Sequence, residues 1–575
     1  MAPIFVQAGD ATMKKTENEV ATVLIHMKKL LRLKNRLCSP LLRLPTEIVV
    51  HILSFIMQNM SDPRVWRPVW RPVFCACHRI HKIMSTATEL WWEVNCTQPN
   101  TACVAFRRSK GNPQVVIAEL NSEPRACQQE LLEYWRERQV SHGHRLHTLR
   151  LYGIPSDIAH ISWIFEHSLP RLRNLTIYFS GLSNDEGGEF SLPASELALL
   201  PVTLQLPMDM PLRVLRLRNA TLPWSSNLFT GLRELYLNLG DCPVPVVISE
   251  DELLRILDAS SRLERLSLVQ VGPRIPAGSN VRQFTRERTV RLPSLASLWL
   301  GDSPEVISYI LAHIDIPAIT SLQIHPRTPP QDIVGSLNLM LPDDHVQKRL
   351  VSNPPVFKIG TTEHGMVDTM SVEIGSFKMW FDFDTDDAEI ISDTIVTHLQ
   401  PLVPPSTTAL KIDYAGLGLG ELRWREFLIS HPEVRSIECL NFSGESILWS
   451  MWDALSHNGT DPFPPCPKLE LVSLFGDPAS TNLLNCLLSR KNAGFELKNL
   501  KAEKVVDGLF GKFSHLVEAL EASNPEDLLA WRIKQEVRPI SWISFTWSDL
   551  FLVDRVSGYG VTRQTRRAVL MTPLL

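Results

Sequence analysis

Cys75, Cys77, His78 and His81 form C-x-C-H-x-x-H, a density of thiols and imidazoles able to bind zinc. The C-x-C step is not the usual knuckle spacing, however, and no second ligand pair follows at a suitable distance. On a helix the four would spread over several faces, so a metal site is not expected of them. His142, His144 and His147 cluster at the start of an expected surface strand, with only His144 and His147 on a shared face. Asp382, Asp384, Asp386 and Asp387 resemble the opening of a calcium loop. The sixth position of such a loop needs Gly but holds Asp387, and the twelfth needs Glu but holds Asp393. This segment therefore reads as a solvated acidic loop. Gly416, Gly418 and Gly420 form a glycine-rich turn without the strand and helix that a phosphate cradle requires. There is no P-loop, no H-E-x-x-H and no G-x-S-x-G. The sequence assigns no catalytic residue, metal or cofactor.

A different pattern recurs from residue 146 onward. The core L-x-x-L-x-L stands as Leu146-Leu149-Leu151, Leu172-Leu175-Ile177, Leu212-Leu215-Leu217, Leu232-Leu235-Leu237, Leu263-Leu266-Leu268, Leu295-Leu298-Leu300 and Ile319-Leu322-Ile324. The steps between copies are 26, 40, 20, 31, 32 and 24 residues. Weaker copies lie near Leu410-Ile412, Val434-Ile437, Leu469-Val472-Leu474 and Leu497-Leu500. A short strand sends alternate side chains to one face, so such leucines stack inward when the strands lie in parallel. The stretch SEDELLRILDASS, with Leu253, Leu254, Ile256 and Leu257, fits an outer helix of one repeat. The side chains between the leucines then share the outer face of the sheet. Among them are Arg150, Tyr152, Tyr178, Arg216, Arg218, Tyr236 and Trp299. Tyr, Trp and Arg are the residue types that anchor protein interfaces, which makes these seven the expected substrate-binding set. Their arginines suit an acidic or phosphorylated partner.

Upstream, residues 16–37 carry apolar residues at three- and four-residue steps between lysines and arginines, predicting an amphipathic helix that packs on the next domain. Cys38-Ser39-Pro40 ends it. LLRLPTEIVVHILSFIMQ starts a second helix, with Pro45 suited to its first turn and Glu47 to its N-terminal dipole. Trp66-Arg67-Pro68-Val69 is repeated at once as Trp70-Arg71-Pro72-Val73, which breaks helix there. A further helix and a tight apolar close at Leu90-Trp91-Trp92 follow.

From Leu41 to Val94 the string resembles an F-box domain of the fungal type. The resemblance rests on Leu44-Pro45-Thr46-Glu47-Ile48, on Ile52-Leu53-Ser54-Phe55, on Cys77, Ile80, Ile83 and Met84, and on Leu90-Trp91. The chain departs from the family at Ile80, where Trp is usual, and at the duplicated WRPV. The downstream pattern is similar to the irregular leucine-rich repeats that often follow an F-box. Its departure is the absent asparagine, since Ile154, Ala220 and Gly240 occupy the place three residues after the last core leucine. The resemblance implies a non-catalytic subunit of an SCF-type ubiquitin ligase, docking on a Skp-type adaptor and through it a cullin. Leu44, Pro45, Ile48, Ile52, Leu90 and Trp91 would build or support the docking surface, with the division between surface and core left open. The alternative is a leucine-rich-repeat interaction scaffold without a ligase role.

Composition agrees with a folded interaction protein. Of 575 residues 44% are hydrophobic and 21% charged, which excludes a mainly disordered or collagen-like chain. A net charge of −4 gives no global pull on nucleic acid or anionic membrane. Ten cysteines are too few for a disulfide scaffold. The first residues lack a secretory pattern and no window is apolar enough for a membrane span, so a cytoplasmic or nuclear setting is expected. The fold class expected is α/β: an N-terminal all-α F-box, then a βα leucine-rich-repeat solenoid. The divisions are 1–39 (tail and amphipathic helix), 40–95 (F-box), 140–325 (first repeat arc), 326–405 (insertion or break), 406–510 (second arc) and 511–575 (a cap around SWISFTWSDLFLVDRV).

Overall fold

The computed structural model describes the chain from 40 to 522 with internal gaps, and scattered helical positions before it. Residues 60–76, 120–132, 180–199, 276–287, 341–355, 503–515 and 523–575 are among those outside the description. The WRPV duplication, Cys75, His142, His144, Asp384, Asp386, Asp387, Gly416, Gly418 and the expected C-terminal cap therefore lie outside it. The described parts are α/β, helices with a large and mostly parallel sheet. They divide into two compact units, residues 1–177 with 205–212, and residues 178–204 with 213–575.

In the first unit, helix α1 (Thr46–Asn59) carries Glu47 in its first turn, where its charge meets the helix dipole. Helix α2 (His78–Thr86) is capped by the Cys77 thiol, which accepts from the Ile80 N–H at 3.4 Å. The inner faces meet in a small core of Val49, Leu53, Ile80, Ile83, Met84, Leu90 and Trp91. Helix does not fill the whole segment to 95, since β1 (Glu93–Asn95) already pairs in parallel with β2 (Val115–Glu119), and β2 with β3 (Thr148–Gly153). Helix α3 (Pro99–Arg108) connects β1 to β2, and β4 (Asn174–Phe179) follows β3. The expected packing of the first amphipathic stripe is corrected by the described positions: Val23, Met27, Leu30 and Leu33 are exposed.

In the second unit a parallel run joins β5 (Val214–Arg218), β6 (Glu234–Asn238), β7 (Arg265–Val269), β8 (Ser297–Asp302) and β9 (Ser321–Pro326). At residues 356–383 the sheet continues but the parallel run gives way to antiparallel pairing. These residues form β10 (Val356–His364), β11 (Val367–Ile374) and β12 (Phe377–Phe383), an antiparallel meander. Its last strand pairs in parallel with β9 and its first with β13 (Ala409–Asp413). From there β14 (Ser436–Phe442), β15 (Leu471–Gly476), β16 (Leu497–Ala502) and β17 (Val517–Ala522) continue in parallel.

The register explains the leucines. Leu215, Leu235, Leu266, Leu298 and Leu322 are direct cross-strand partners, as are Leu217, Leu237, Leu268, Leu300 and Ile324. The second row passes through Met379, Val372 and Ile359 into Ile412, Cys439, Leu474 and Ala502. Nearly every member is fully buried, each contributing roughly 1.5–3 kcal/mol of transfer free energy. Helices cover this inner face. Among them α4 (Glu250–Ala259) begins with a capping box in which Ser249 and Glu252 satisfy each other's backbone N–H groups. Helix α5 (Pro304–His313) starts at Ser303 with Pro304 in its first turn. Farther along the chain lie α6 (Ile333–Met340), α7 (Ala388–Leu399), α8 (Glu421–Ser430), α9 (Ile447–Leu455) and α10 (Thr481–Asn492).

Two polar residues tie the turns together. Asn219, at φ 55° in the left-handed region that asparagine tolerates, is fully buried and donates from Nδ2 to the Phe179 carbonyl at 2.8 Å. Arg490 on α10 is buried, and its guanidinium donates to the carbonyls of Leu455 (3.4 Å), Pro465 (2.7 Å) and Cys466 (2.9 Å). Cys466 sits at φ 50°, turning its carbonyl to that guanidinium. Replacing Arg490 by Met keeps the aliphatic volume but strands these carbonyls. The expected loss is about 3 kcal/mol or more, read as a lower urea midpoint with an unchanged slope.

Candidate functional site

Two surfaces gather the residues expected to bind. The first is the outer face of α1. The helix period sets Val49 and Leu53 inward against α2 and the 3-10 turn at 88–91, which leaves Pro45, Ile48 and Phe55 outward. Ile48 is 47% and Phe55 64% exposed, while Leu44 and Ile52 are half-buried at the rim. Arg79 on α2 donates to the Leu44 carbonyl at 2.7 Å and so fixes where α1 begins. Leu90 and Trp91 fall on the core side of the division. Both are buried, the Trp91 indole N–H donates to the Met84 carbonyl at 2.5 Å, and the Arg108 guanidinium lies 4.7 Å from the Trp91 ring centre. They hold α1 in place and offer no surface themselves.

The second kind of surface is the outward face of the strands, and each unit has its own. Arg150 and Tyr152 take outward, half-buried places on β3 in the first unit. In the second unit, register aligns Arg216, Tyr236, Ser267, Trp299, Gln323 and Lys378 on consecutive paired strands. A parallel row holds Arg218, Asn238, Val269, Gly301 and His325. Tyr236, Val269 and Trp299 close into an apolar cluster flanked by Tyr178 and Trp380. The Tyr236 ring lies 6.1 Å from Tyr178 and 6.4 Å from Trp299, both tilted, and the Lys378 ammonium sits 4.5 Å from the Trp380 centroid. Tyr236 and Trp299 were expected to stand out to a partner, yet only 8% and 5% of each is exposed, because cross-strand neighbours close over them. Sequence spacing missed Trp380 and Lys378. They lie far along the chain from Tyr236, and the meander's place in the sheet is what brings them in.

Charge on this face is uneven. Arg216 pairs with Glu234 at 2.6 Å and Arg265 reaches the same carboxylate at 3.0 Å, two guanidiniums to one acid. Three polar atoms are buried with no hydrogen-bond partner, Ser267 Oγ, Trp299 Nε1 and Gln323 Oε1. All three belong to the same register row on adjacent strands. An orphaned buried donor or acceptor costs about 1–3 kcal/mol, so three in line is a marked local expense.

Cys77 caps α2, and His78 and His81 are exposed. Burial pushes the thiol of Cys466 up to about 12 and that of Cys486 to about 11, which keeps both protonated. Among the described residues no cluster of His, Cys, Asp or Glu is arranged to hold a metal, and no helix is long and apolar enough to cross a membrane. No protein-family model and no curated protein sequence matches the chain.

Among the described residues, Asp302 at the end of β8 is a carboxylate with a large shift. Burial raises its pKa to about 6, opposed by the Ser303 N–H at 2.7 Å and by the charge of Arg327. A carboxyl whose pKa is higher folded than unfolded binds its proton more tightly when folded. Its contribution is therefore fully present below about pH 4 and is lost as the pH rises through about 6. Asp302→Asn keeps the acceptor and removes the titration. Urea unfolding should show the variant close to wild type at about pH 4 and more stable, by up to about 3 kcal/mol, at about pH 7.5.

Proposed function

We propose that the chain is the substrate-recognition subunit of an SCF-type ubiquitin ligase. In this reading residues 40–95 are an F-box that docks on a Skp-type adaptor, and the strand–helix array is an irregular leucine-rich-repeat solenoid that holds a protein substrate. The observation that carries it is the outer face of α1. A helix that packs Val49 and Leu53 inward leaves Ile48 and Phe55 in water beside Pro45, within the residues that resemble an F-box opening. Large apolar side chains held together on a short ordered helix mark an interaction site. Leu90 and Trp91 support that helix from below.

The mechanism is positional. A subunit that tethers substrate to a ligase raises the effective concentration of the substrate's lysines near the charged conjugating enzyme, and it needs no reacting group of its own. The chain's part is rigidity: the Arg79 contact to Leu44 and the buried Trp91 hold α1, and the aligned strands hold the partner-facing rows.

The test is a pull-down of the full chain with a purified Skp-type adaptor. Wild type should be retained. The Ile48→Asp/Phe55→Asp double variant should lose at least about tenfold in affinity with unchanged thermal unfolding, because both side chains are exposed. A folded wild-type chain that ignores the adaptor sinks the reading.

A further inference from the structure

The helical positions ahead of α1 carry an apolar stripe that the described chain leaves in water. Val23, Met27, Leu30 and Leu33 follow one another at steps of four, three and three, and each is more than half exposed. On a helix those steps keep all four within an arc of about 120° and a length of about 15 Å. The helical turn is formed there, since His26 Nδ1 donates to the Thr22 carbonyl at 3.0 Å, one turn back. Single apolar side chains on a surface need no explanation, but four in line on one helix mark a contact site. Charge says what kind of contact. Between Glu19 and Glu47 there is no Asp or Glu, while Lys28, Lys29, Arg32, Lys34, Arg36 and Arg43 all fall in that interval. The whole chain's charge of −4 conceals this local excess of six. The surface that complements it is anionic.

We propose that this helix lies on an anionic lipid bilayer, with its apolar stripe at the boundary between headgroups and acyl chains and its basic residues among the headgroup phosphates. Two polar residues decide between a bilayer and the groove of a protein. Lys34 and His26 stand inside the apolar arc, Lys34 between Val23 and Met27 around the helix and His26 between Leu30 and Leu33, and both are exposed. A protein groove closing over the stripe would bury both polar heads and desolvate a charge. At a bilayer surface a lysine lays its methylenes along the acyl boundary and lifts its ammonium to the headgroups. The helix lies in the plane of the surface, because a stripe of about 15 Å covers only half of the roughly 30 Å hydrocarbon core. The inference goes beyond the ligase reading and does not depend on it. Such an anchor sets where the chain works, whatever else it binds.

The test is co-sedimentation of the full-length chain with vesicles of phosphatidylcholine alone and of phosphatidylcholine with about 30% phosphatidylserine. The chain should pellet with the anionic vesicles, less so as salt rises, and stay in solution with the neutral ones. Each basic residue near such a surface contributes about fivefold in affinity, so Lys29→Gln/Lys34→Gln should weaken binding about twentyfold. Leu30→Asp/Leu33→Asp should abolish it with thermal unfolding and adaptor retention unchanged, because both side chains are exposed. Leu422→Asp, which removes an exposed leucine from α8, should change nothing. A folded wild-type chain that pellets with neither vesicle overturns the inference and returns the stripe to a protein partner, a second copy if the wild type is a dimer that Leu30→Asp/Leu33→Asp abolishes. Equal binding to both vesicles overturns it too, as does binding that survives Leu30→Asp/Leu33→Asp. The two readings fail separately. A chain that pellets with anionic vesicles in the expected way but ignores the adaptor supports the anchor and overturns the ligase reading.

Discussion

Strand register is the constraint on which the second unit depends. Two rows of apolar side chains run from Leu215 and Leu217 on β5 to Leu500 and Ala502 on β16, strand by strand. Because successive side chains alternate faces, a slip of one residue in any pair would expose one strand's leucines and bury its arginines. The ladder can change direction without losing this alignment. Strands β10 to β12 are antiparallel, yet Phe377 and Ile374 carry the first row onward and Met379 and Val372 the second. A meander can stand where a strand–helix unit would be because both present the same alternation to the same core.

The same alignment makes the outward face. Locking leucines in step locks the residues between them in step, so Arg216, Tyr236, Ser267, Trp299 and Gln323 arrive side by side without any local reason to meet. Tyr178, Tyr236 and Trp299 gain contact with one another, and the cost falls on the polar atoms they cover. The apolar rows and the outward row are opposite faces of one register.

In the first unit the governing interaction is smaller. One indole hydrogen bond, from Trp91 to Met84, and one guanidinium contact, from Arg79 to Leu44, support a helix that leaves Ile48 and Phe55 exposed. The helix period of α1 separates the roles, with Val49 and Leu53 inside and Ile48 and Phe55 outside. Leu90 and Trp91 are as much a part of that surface as a foundation is of a floor, though neither reaches it.

The sequence by itself determined the strands and their inward faces. Alternation with period two is a local property, and L-x-x-L-x-L carries it wherever it occurs. It also determined the capping of α4, since Ser249 and Glu252 stand at the spacing that reciprocal hydrogen bonds need. Only the tertiary structure decided which residues became neighbours across the sheet. Trp380 joins Tyr236 through the meander's place between β9 and β13, and β1 and β2 pair without any leucine pattern to announce them. It decided too that Asn219 takes a left-handed turn to reach the Phe179 carbonyl, and that Arg490 is buried among three carbonyls. These choices depend on groups tens of residues apart meeting in a dry interior, where an unsatisfied polar group is costly. No local period records that cost.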